Sequence, residues 1–442
     1  MSASKKWADV STELIKDPNN FKLWQRLIES AEYNDKQGIS KSTPWDKLEI
    51  LRTSYHKFLE RYPYCYRYWV RLAEWEFKLG EDAAKAIEVF QRGLQHLRCC
   101  IELWHEYLKF RVDTISDDVE QVLAIFEEAR RSIGNHFYSY EFYSLYLGFL
   151  DTYATEKNQF KRKYYILLRI VLEVPMYHYE YFYRKWFELI RDIADPRIVS
   201  DQELKYIVSE RDWQRGERNK LVMQLKKTFT DAYTAAQNRV YELYHFERQF
   251  KRQYHDVRII SRQQLDAWLE YFDFLELKNY PVSVIEMNYN RYLYICANYP
   301  QAWTKFADYY IFHQRYNSAR QVLIRGWKYL GNDEVLIKLI DVEIFLKQFL
   351  RARDLITNYL QYTISVPIAI YEKLLNVEHI VDARDEHLLA LFKEIIQETQ
   401  NDWFFNVLTY YAIDREKKVA FLKEMDEFKG HKYYDMAVAM FS

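Results

Sequence analysis

Glycine and proline are scarce in this chain. It has nine glycines and eight prolines among 442 residues. Antiparallel sheets with tight turns and glycine-rich phosphate-binding loops both need more of these residues. Their scarcity, together with abundant Leu, Glu, Lys, Arg and Ala, predicts an all-helical protein.

The chain also lacks an excess of one charge and any long apolar run. It has 63 Lys and Arg against 64 Asp and Glu, whereas a protein that coats nucleic acid is usually strongly basic. It has no run of about 18 apolar residues, and its N-terminus lacks the apolar core of a signal peptide. We therefore expect an intracellular protein with no membrane contact.

Signatures of catalysis and metal binding are missing as well. The four cysteines, Cys65, Cys99, Cys100 and Cys296, form no CxxC pair and no metal-type spacing. The sequence contains no P-loop, HExxH, GxSxG or GxGxxG motif. These absences predict a protein that is not an enzyme and has no cofactor, metal or small-molecule substrate.

Aromatic residues, by contrast, are abundant, at 18% of the chain with 40 tyrosines. In RYPYCYRYWVRLAEWEFKLG (61–80) and NYPQAWTKFADYY (298–310), a Tyr-Pro pair precedes a tryptophan that is followed by aromatic or leucine residues three and six positions later. Similar stripes recur mostly 33 to 40 residues apart along the chain, a period typical of helical repeat arrays. The first aromatic residue of the stronger copies is Trp24, Trp69, Trp104, Tyr143, Trp268 or Trp303.

Each repeat is predicted to be a pair of antiparallel helices. The aromatic stripe lies on one face of helix A, and a second helical pattern, helix B, follows it. The clearest helix B segments are 83–97, 119–134, 318–331 and 350–362. Gly80, Gly134 and Gly331 are expected to end helices in the left-handed conformation. Pro63, Pro175 and Pro300 are expected to stop the helices before them.

These repeats predict an α-solenoid in two arrays. A single helix pair cannot close a core, so the large rings are expected to fill the space between successive pairs. A peptide-binding face is a second, less favoured interpretation of the stripe. The predicted parts are an N-terminal segment (1–19), an N-terminal array (20–194), a linker with a long basic helix (195–262), a C-terminal array (263–412) and a capping or dimerisation tail (413–442).

The repeat resembles the half-a-tetratricopeptide (HAT) motif, Trp-x-x-Tyr/Leu-Ala-x-Phe-Glu in helix A and Ala-Arg-x-Val-Phe-Glu-Arg-Ala-Leu in helix B. Residues 69–76 fit the first half, and residues 86–94 and 319–326 fit the second. The resemblance covers about residues 20–412. Segments 78–97, 102–115 and 401–411 are most similar to the pre-mRNA-processing factor 39 and 42 family.

That resemblance implies a nuclear scaffold subunit of the U1 small nuclear ribonucleoprotein (U1 snRNP), which recognises the 5′ splice site. It implies a homodimer, or a heterodimer with a paralogue, formed through the C-terminal array. It further implies contacts with the zinc-finger subunit and other proteins of the particle, with U1 snRNA touched weakly or indirectly. A HAT scaffold of mRNA 3′-end cleavage is an alternative.

Two groups of residues are candidate contact sites. The segment 205–262 has 13 basic and 7 acidic residues; its densest part could contact RNA or an acidic protein, although a solvated helix face is the simpler interpretation. That part contains Arg248, Lys251, Arg252, Arg258 and Arg262. The aromatic residues near the C-terminus exceed what one helix can bury, so the tail either folds back over them or docks on another subunit. The predicted interface residues are Trp403, Phe404, Phe405, Tyr410, Tyr411, Phe421 and Phe428.

Overall fold

A computed structural model describes residues 2–34, 37–80, 83–115, 118–190, 198, 218–363, 365–382 and 384–441. This part of the chain is helical, apart from a hairpin of two-residue strands, β1 (Tyr33–Asn34) and β2 (Gln37–Gly38), which pair antiparallel. The predicted all-α fold is confirmed. Among the described residues, no helix combines the length and apolarity that crossing a bilayer requires.

The chain divides into two compact units, Met1–Ala297 and Asn298–Ser442. The helices of the first unit are α1 (Ser2–Lys16), α2 (Phe21–Glu32), α3 (Trp45–Arg61), α4 (Tyr66–Gly80), α5 (Ala83–His96), α6 (Ile101–Asp113), α7 (Val119–Ile133), α8 (Tyr140–Thr152), α9 (Phe160–Glu173), α10 (Tyr179–Leu189), α11 (Arg218–Glu247), α12 (Arg262–Leu277) and α13 (Val282–Cys296).

The helices of the second unit are α14 (Pro300–Phe312), α15 (Tyr316–Leu330), α16 (Asp333–Phe345), α17 (Phe349–Tyr362), α18 (Ile368–Val381), α19 (Asp385–Thr399), α20 (Trp403–Tyr410), α21 (Arg415–Glu424) and α22 (Lys432–Phe441), with a 3₁₀ turn at Asp426–Phe428. Most of the predicted linker, residues 195–197 and 199–217, lies outside the described residues, and its long helix is α11. A domain division at this linker stays a prediction.

The helix pairs form where the sequence predicted them. The four helix B segments correspond to α5, α7, α15 and α17, with ends that agree within two residues. Each packs against the helices before and after it in the chain, as α15 does between α14 and α16. The helices before Pro63 and Pro175 end two residues earlier, and Pro300 is the first residue of α14.

The turns from helix A to helix B after α12, α14 and α16 share one backbone conformation. The residue two positions after helix A has a positive φ, and the next amide donates to a carbonyl five residues earlier, as in a Schellman turn. These residues are Asn279 (φ 53°), Gln314 (φ 59°) and Lys347 (φ 57°). The amide bonds run from Tyr280 to Leu275, from Arg315 to Tyr310 and from Gln348 to Glu343, at 3.0, 2.8 and 2.9 Å.

The glycine predictions are correct at one position of three. Gly331 has the left-handed conformation, with φ 62°. Gly134 is instead right-handed, with φ −59°, and a Cβ added there would lie 2.3 Å from the Arg130 carbonyl oxygen and 2.7 Å from the Tyr143 hydroxyl. Gly80 is the last residue of α4 and has no positive φ, so it does not adopt the predicted left-handed conformation.

The predicted anchors lie between helices. Trp69, Trp104, Tyr143, Trp268 and Trp303 are buried, and Trp24 is half-buried. The indole N–H of three of them donates to the carbonyl six residues earlier. These bonds join Trp24 to Pro18, Trp69 to Pro63 and Trp104 to Arg98, at 2.8, 2.9 and 2.7 Å. Each such tryptophan therefore fixes the turn that enters its own helix and also satisfies its donor.

Two helix B glycines make room for these rings. A Cβ added to Gly93 would lie 3.0 Å from Trp69 Cγ, and one added to Gly326 would lie 2.7 Å from Trp303 Cδ2. Both glycines occupy the same place in the HAT pattern, after the arginine near the middle of helix B. The ring and the facing backbone are therefore in direct contact.

Buried glutamates are the second recurring element. The buried glutamates of the described chain are Glu32, Glu76, Glu247, Glu343 and Glu378. Each pairs with an arginine of another helix: Arg71, Arg52, Arg291, Arg320 and Arg353, respectively. In three of the pairs the arginine lies in helix B and the glutamate lies in the next helix A. These glutamates, Glu76, Glu343 and Glu378, are each seven positions after the first residue of their apolar stripe, which is Trp69, Leu336 and Tyr371, respectively. The acidic residue of the motif therefore joins consecutive repeats.

The most buried pair is Glu247 with Arg291, whose side chains are 0% and 4% exposed. The guanidinium donates to both carboxylate oxygens, at 2.7 and 3.0 Å, and also to Asn288 Oδ1 at 2.8 Å and Gln253 Oε1 at 3.2 Å. It lies 5.5 Å from the ring centre of Trp268. The pair joins the end of α11 to α13 and to the loop that follows α11.

Gly326→Ala is expected to destabilise the second unit by about 1–3 kcal/mol, because the new methyl overlaps the Trp303 ring. The matched control is Gly148→Ala, also within a helix, where an added Cβ meets nothing within 4 Å. This control is expected to be neutral or to stabilise by up to ~1 kcal/mol. Urea unfolding followed by circular dichroism measures both; equal effects would contradict the contact.

Arg291→Met is expected to destabilise the first unit by about 3–5 kcal/mol, since it leaves the Glu247 carboxylate buried without its counter-ion. Lys278→Met breaks a half-exposed pair with Glu242 (3.0 Å) and is expected to cost at most about 1 kcal/mol. The double variant Glu247→Leu/Arg291→Met should recover part of the loss. Urea unfolding tests all three, and a double variant less stable than Arg291→Met would refute the pairing.

Candidate protein-binding surfaces

The five basic residues predicted as an RNA or acidic-partner patch do not form one free surface. Arg248, Lys251 and Arg262 are exposed. Arg252 is half-buried and donates to the carbonyl of Arg258 at 2.7 Å, which holds the loop after α11 closed. Arg258 forms an ion pair with Asp256 at 2.5 Å. Two of the five cations thus stabilise their own loop, and a role of the patch in binding stays a prediction.

Tyr254, the aromatic residue among these cations, is also engaged within the chain. The guanidinium of Arg67, from α4, lies 4.8 Å from the Tyr254 ring centre. The loop after α11 therefore returns to the start of α4. This contact reduces the ring surface that is available for stacking on a base.

The C-terminal tail folds back over the last repeat. Phe404 and Phe405 are buried, and Phe405 lies 5.4 Å from Phe428 and 5.0 Å from Tyr434 between ring centres. The Tyr434 hydroxyl donates to the Leu422 carbonyl at 2.7 Å. The first of the two predicted alternatives is therefore observed: the tail, with α21, the 3₁₀ turn and α22, supplies the apolar cover that α20 alone lacks.

The predicted interface residues consequently divide into two groups. Phe404, Phe405, Phe421 and Phe428 belong to the core of the second unit. The other three keep some exposed area: Tyr410 is 80% exposed, while Trp403 and Tyr411 are half-buried. Trp403 donates to Glu372 Oε1 at 2.6 Å. An interface role for the seven residues stays a prediction, and only Tyr410 is largely free of its own chain.

A groove that was not predicted from the sequence lies in the first unit. Its larger part, about 490 Å³, is lined by α4, α6 and α8 and by the turn before α10; a second part of about 370 Å³ continues from that turn to α11. Tyr177 and His178 line both parts. We call this surface the α6–α11 groove. Its lining residues include Tyr66, Glu102, His105, Glu106, Lys109, Tyr138, Tyr140, Glu141, Tyr177, His178, Glu180, Tyr241 and Tyr244.

The groove residues are those beside the anchors on helix A. Glu102, His105 and Glu106 surround Trp104 in the sequence, and Glu141 lies two positions before Tyr143. Since the anchor side of helix A is buried between repeats, these neighbours face away from it. The lining of the groove was therefore detectable in the sequence, in the residues at positions −2, +1 and +2 from each anchor.

Comparison with known proteins gives two family matches. A model of the PRP39 N-terminal HAT repeat matches residues 7–188, and a model of the PRP39 C-terminal HAT repeat matches residues 241–379. Among solved structures, a crystal structure of CSTF-77 aligns over 85% of this chain and 87% of its own, with 12% identity and a TM-score of 0.46.

Several curated proteins are similar over much of the chain. The U1 small nuclear ribonucleoprotein component PRP42 of Saccharomyces cerevisiae is 28% identical over 354 residues, which are 77% of this chain and 63% of that protein. Pre-mRNA-processing factor 39 of Schizosaccharomyces pombe is 24% identical over 320 residues (68% and 51%), and that of Xenopus laevis is 26% identical over 319 residues (66% and 47%).

The chain thus spans between about half and two thirds of the length of these relatives. The two family models together match more than half of its residues, and they fall on the repeats whose anchors and buried glutamates are described above. The chain belongs to the PRP39 family of HAT-repeat proteins.

Proposed function

We propose that the protein is a non-catalytic scaffold subunit of U1 snRNP that acts in pre-mRNA splicing, at the step of 5′ splice-site recognition. The observation that carries this proposal is the similarity over 77% of the chain to a protein named as a U1 snRNP component. Relatives named as pre-mRNA-processing factors support the broader role in splicing. Its site of action is then the nucleus.

The physical basis of the scaffold role is the division of each helix A into two sides. One side carries the ring and the glutamate that hold neighbouring helices together, so those residues are occupied. The other side is free to carry any side chains that a partner requires. Repeat arrays bind peptides and helices of other proteins through such surfaces. We propose that the partners are the zinc-finger subunit and other proteins of the particle, with U1 snRNA contacted weakly or indirectly.

We further propose that two copies, or one copy and a paralogue, associate through the C-terminal array. The tail covers most of the predicted rings. The large apolar side chains of α20–α22 that remain exposed are Tyr410, at the end of α20, and Met436 and Met440, which lie four residues apart on α22. Exposed aromatic residues and methionines are enriched at protein interfaces.

Affinity capture from extract of the source cells tests the ribonucleoprotein assignment. The tagged full chain should enrich U1 snRNA and U1 snRNP proteins over other small nuclear RNAs, and a capture without tag serves as control. Recovery of 3′-end cleavage proteins without U1 snRNA would refute the assignment in favour of the alternative complex.

Tyr410→Glu is expected to shift a dimer toward monomer by about tenfold or more in Kd, because a charge is then buried at an apolar contact. Multi-angle light scattering across a concentration series gives the mass. Tyr362→Glu is the matched control, since Tyr362 is 86% exposed on α17 of the same unit. A monomeric parent chain at micromolar concentration, or equal effects of both substitutions, would contradict the interface.

A further inference from the structure

The α6–α11 groove carries an excess of negative charge. Its lining has four glutamates and one lysine: Glu102, Glu106, Glu141 and Glu180, and Lys109. Lys109 is itself 3.8 Å from Glu106. Burial lowers the pKa of His105, so this imidazole, 3.7 Å from Glu141, adds no positive charge near pH 7. A cationic ligand is therefore attracted to the groove, and nucleic-acid phosphates are repelled.

Tyrosine rings form the other part of the surface. Tyr177 is 40% exposed and stacks on Tyr244, with ring centres 6.1 Å apart and planes 15° apart. Tyr138 lies 6.0 Å from Tyr177, and Tyr241 is 76% exposed. The ring faces of tyrosine attract guanidinium groups, which are planar and weakly hydrated. The chain makes the same contact internally, between Arg67 and Tyr254.

A left-handed residue lies at the centre of the groove. His178 has φ 63°, the same left-handed geometry as Asn279, Gln314 and Lys347 in the repeat turns. The neighbouring Tyr177 amide donates to the Phe137 carbonyl at 2.7 Å, which fixes this turn against the loop before α8. The turn places Tyr177 and His178 where the two parts of the groove meet.

We propose that the α6–α11 groove binds an extended, arginine-containing segment of a partner protein. Guanidinium groups of the segment pair with Glu106 and Glu141 and stack on Tyr177 and its neighbours. Arginine suits this surface better than lysine, because it combines bidentate pairing with carboxylates and stacking on rings. The inference rests on the proposed scaffold function and specifies the chemistry of one partner segment.

Fluorescence anisotropy with the full-length protein tests this inference. The probe is a short labelled peptide in which arginines alternate with Gly-Ser pairs, compared with versions that carry lysine or glutamate. The arginine peptide should bind several-fold more tightly than the lysine peptide, the glutamate peptide should not bind, and added salt should weaken binding. Because the components are purified, a failure here leaves the affinity-capture test of the ribonucleoprotein assignment intact.

Variants locate the binding on the protein. Glu106→Gln/Glu141→Gln should weaken binding of the arginine peptide about tenfold or more, since two charge-assisted contacts are lost. Glu120→Gln/Glu128→Gln makes the same charge change at exposed positions on α7 and should leave the affinity unchanged. Tyr177→Leu should weaken binding about threefold to tenfold through the lost stacking. Unfolding midpoints confirm that each variant is folded.

Three outcomes would overturn the inference. The first is no binding of the arginine peptide by the folded protein. The second is equal weakening by the α7 control pair, which would mean that net charge alone attracts the peptide. The third is competition by an oligouridine RNA that is abolished by Tyr177→Leu, which would assign the groove to nucleic acid.

Discussion

The packing of the repeats depends on ion pairs between a buried carboxylate on one helix and a guanidinium on another. Each of the five buried glutamates described here has such an arginine. A carboxylate in an apolar interior is costly unless it is paired, so the pair fixes which helices can be neighbours. The aromatic anchors supply apolar contact area, which is less directional. The ion pairs therefore specify the register, and the rings provide most of the burial.

These ion pairs occupy the buried glutamates, which would otherwise be candidates for catalytic or metal-binding residues. Glu76, Glu343 and Glu378 recur at one motif position, yet each is neutralised by an arginine. The side chains that remain free are those beside the anchors, and they differ from repeat to repeat. Binding specificity in such a protein therefore lies in the variable positions, while the recurring positions maintain the fold.

Residues with a local role were predictable, and those whose role depends on distant neighbours were not. Trp69 and Trp303 were predictable from the spacing of apolar residues, because a period of 3.6 residues places the members of each stripe on one helix face. The left-handed turn predicted at Gly134 is wrong, because the residue is right-handed and has no room for a side chain beside the Arg130 carbonyl oxygen and the Tyr143 hydroxyl. The packing of Phe405 on Phe428 and Tyr434 of the tail likewise depends on residues more than 20 positions away.

The sequence by itself determined the helix pairs, their period, the anchors and the absence of catalytic motifs, because each of these follows from spacing along one helix. The tertiary structure alone decided which glutamate meets which arginine, how the tail covers the last repeat, and that carboxylates of α6, α8 and α10 share one groove with tyrosines of α11. The groove is lined by residues up to about 140 positions apart in the sequence, from Glu102 to Tyr244. Their formation depends on how successive helices stack, which no local pattern encodes.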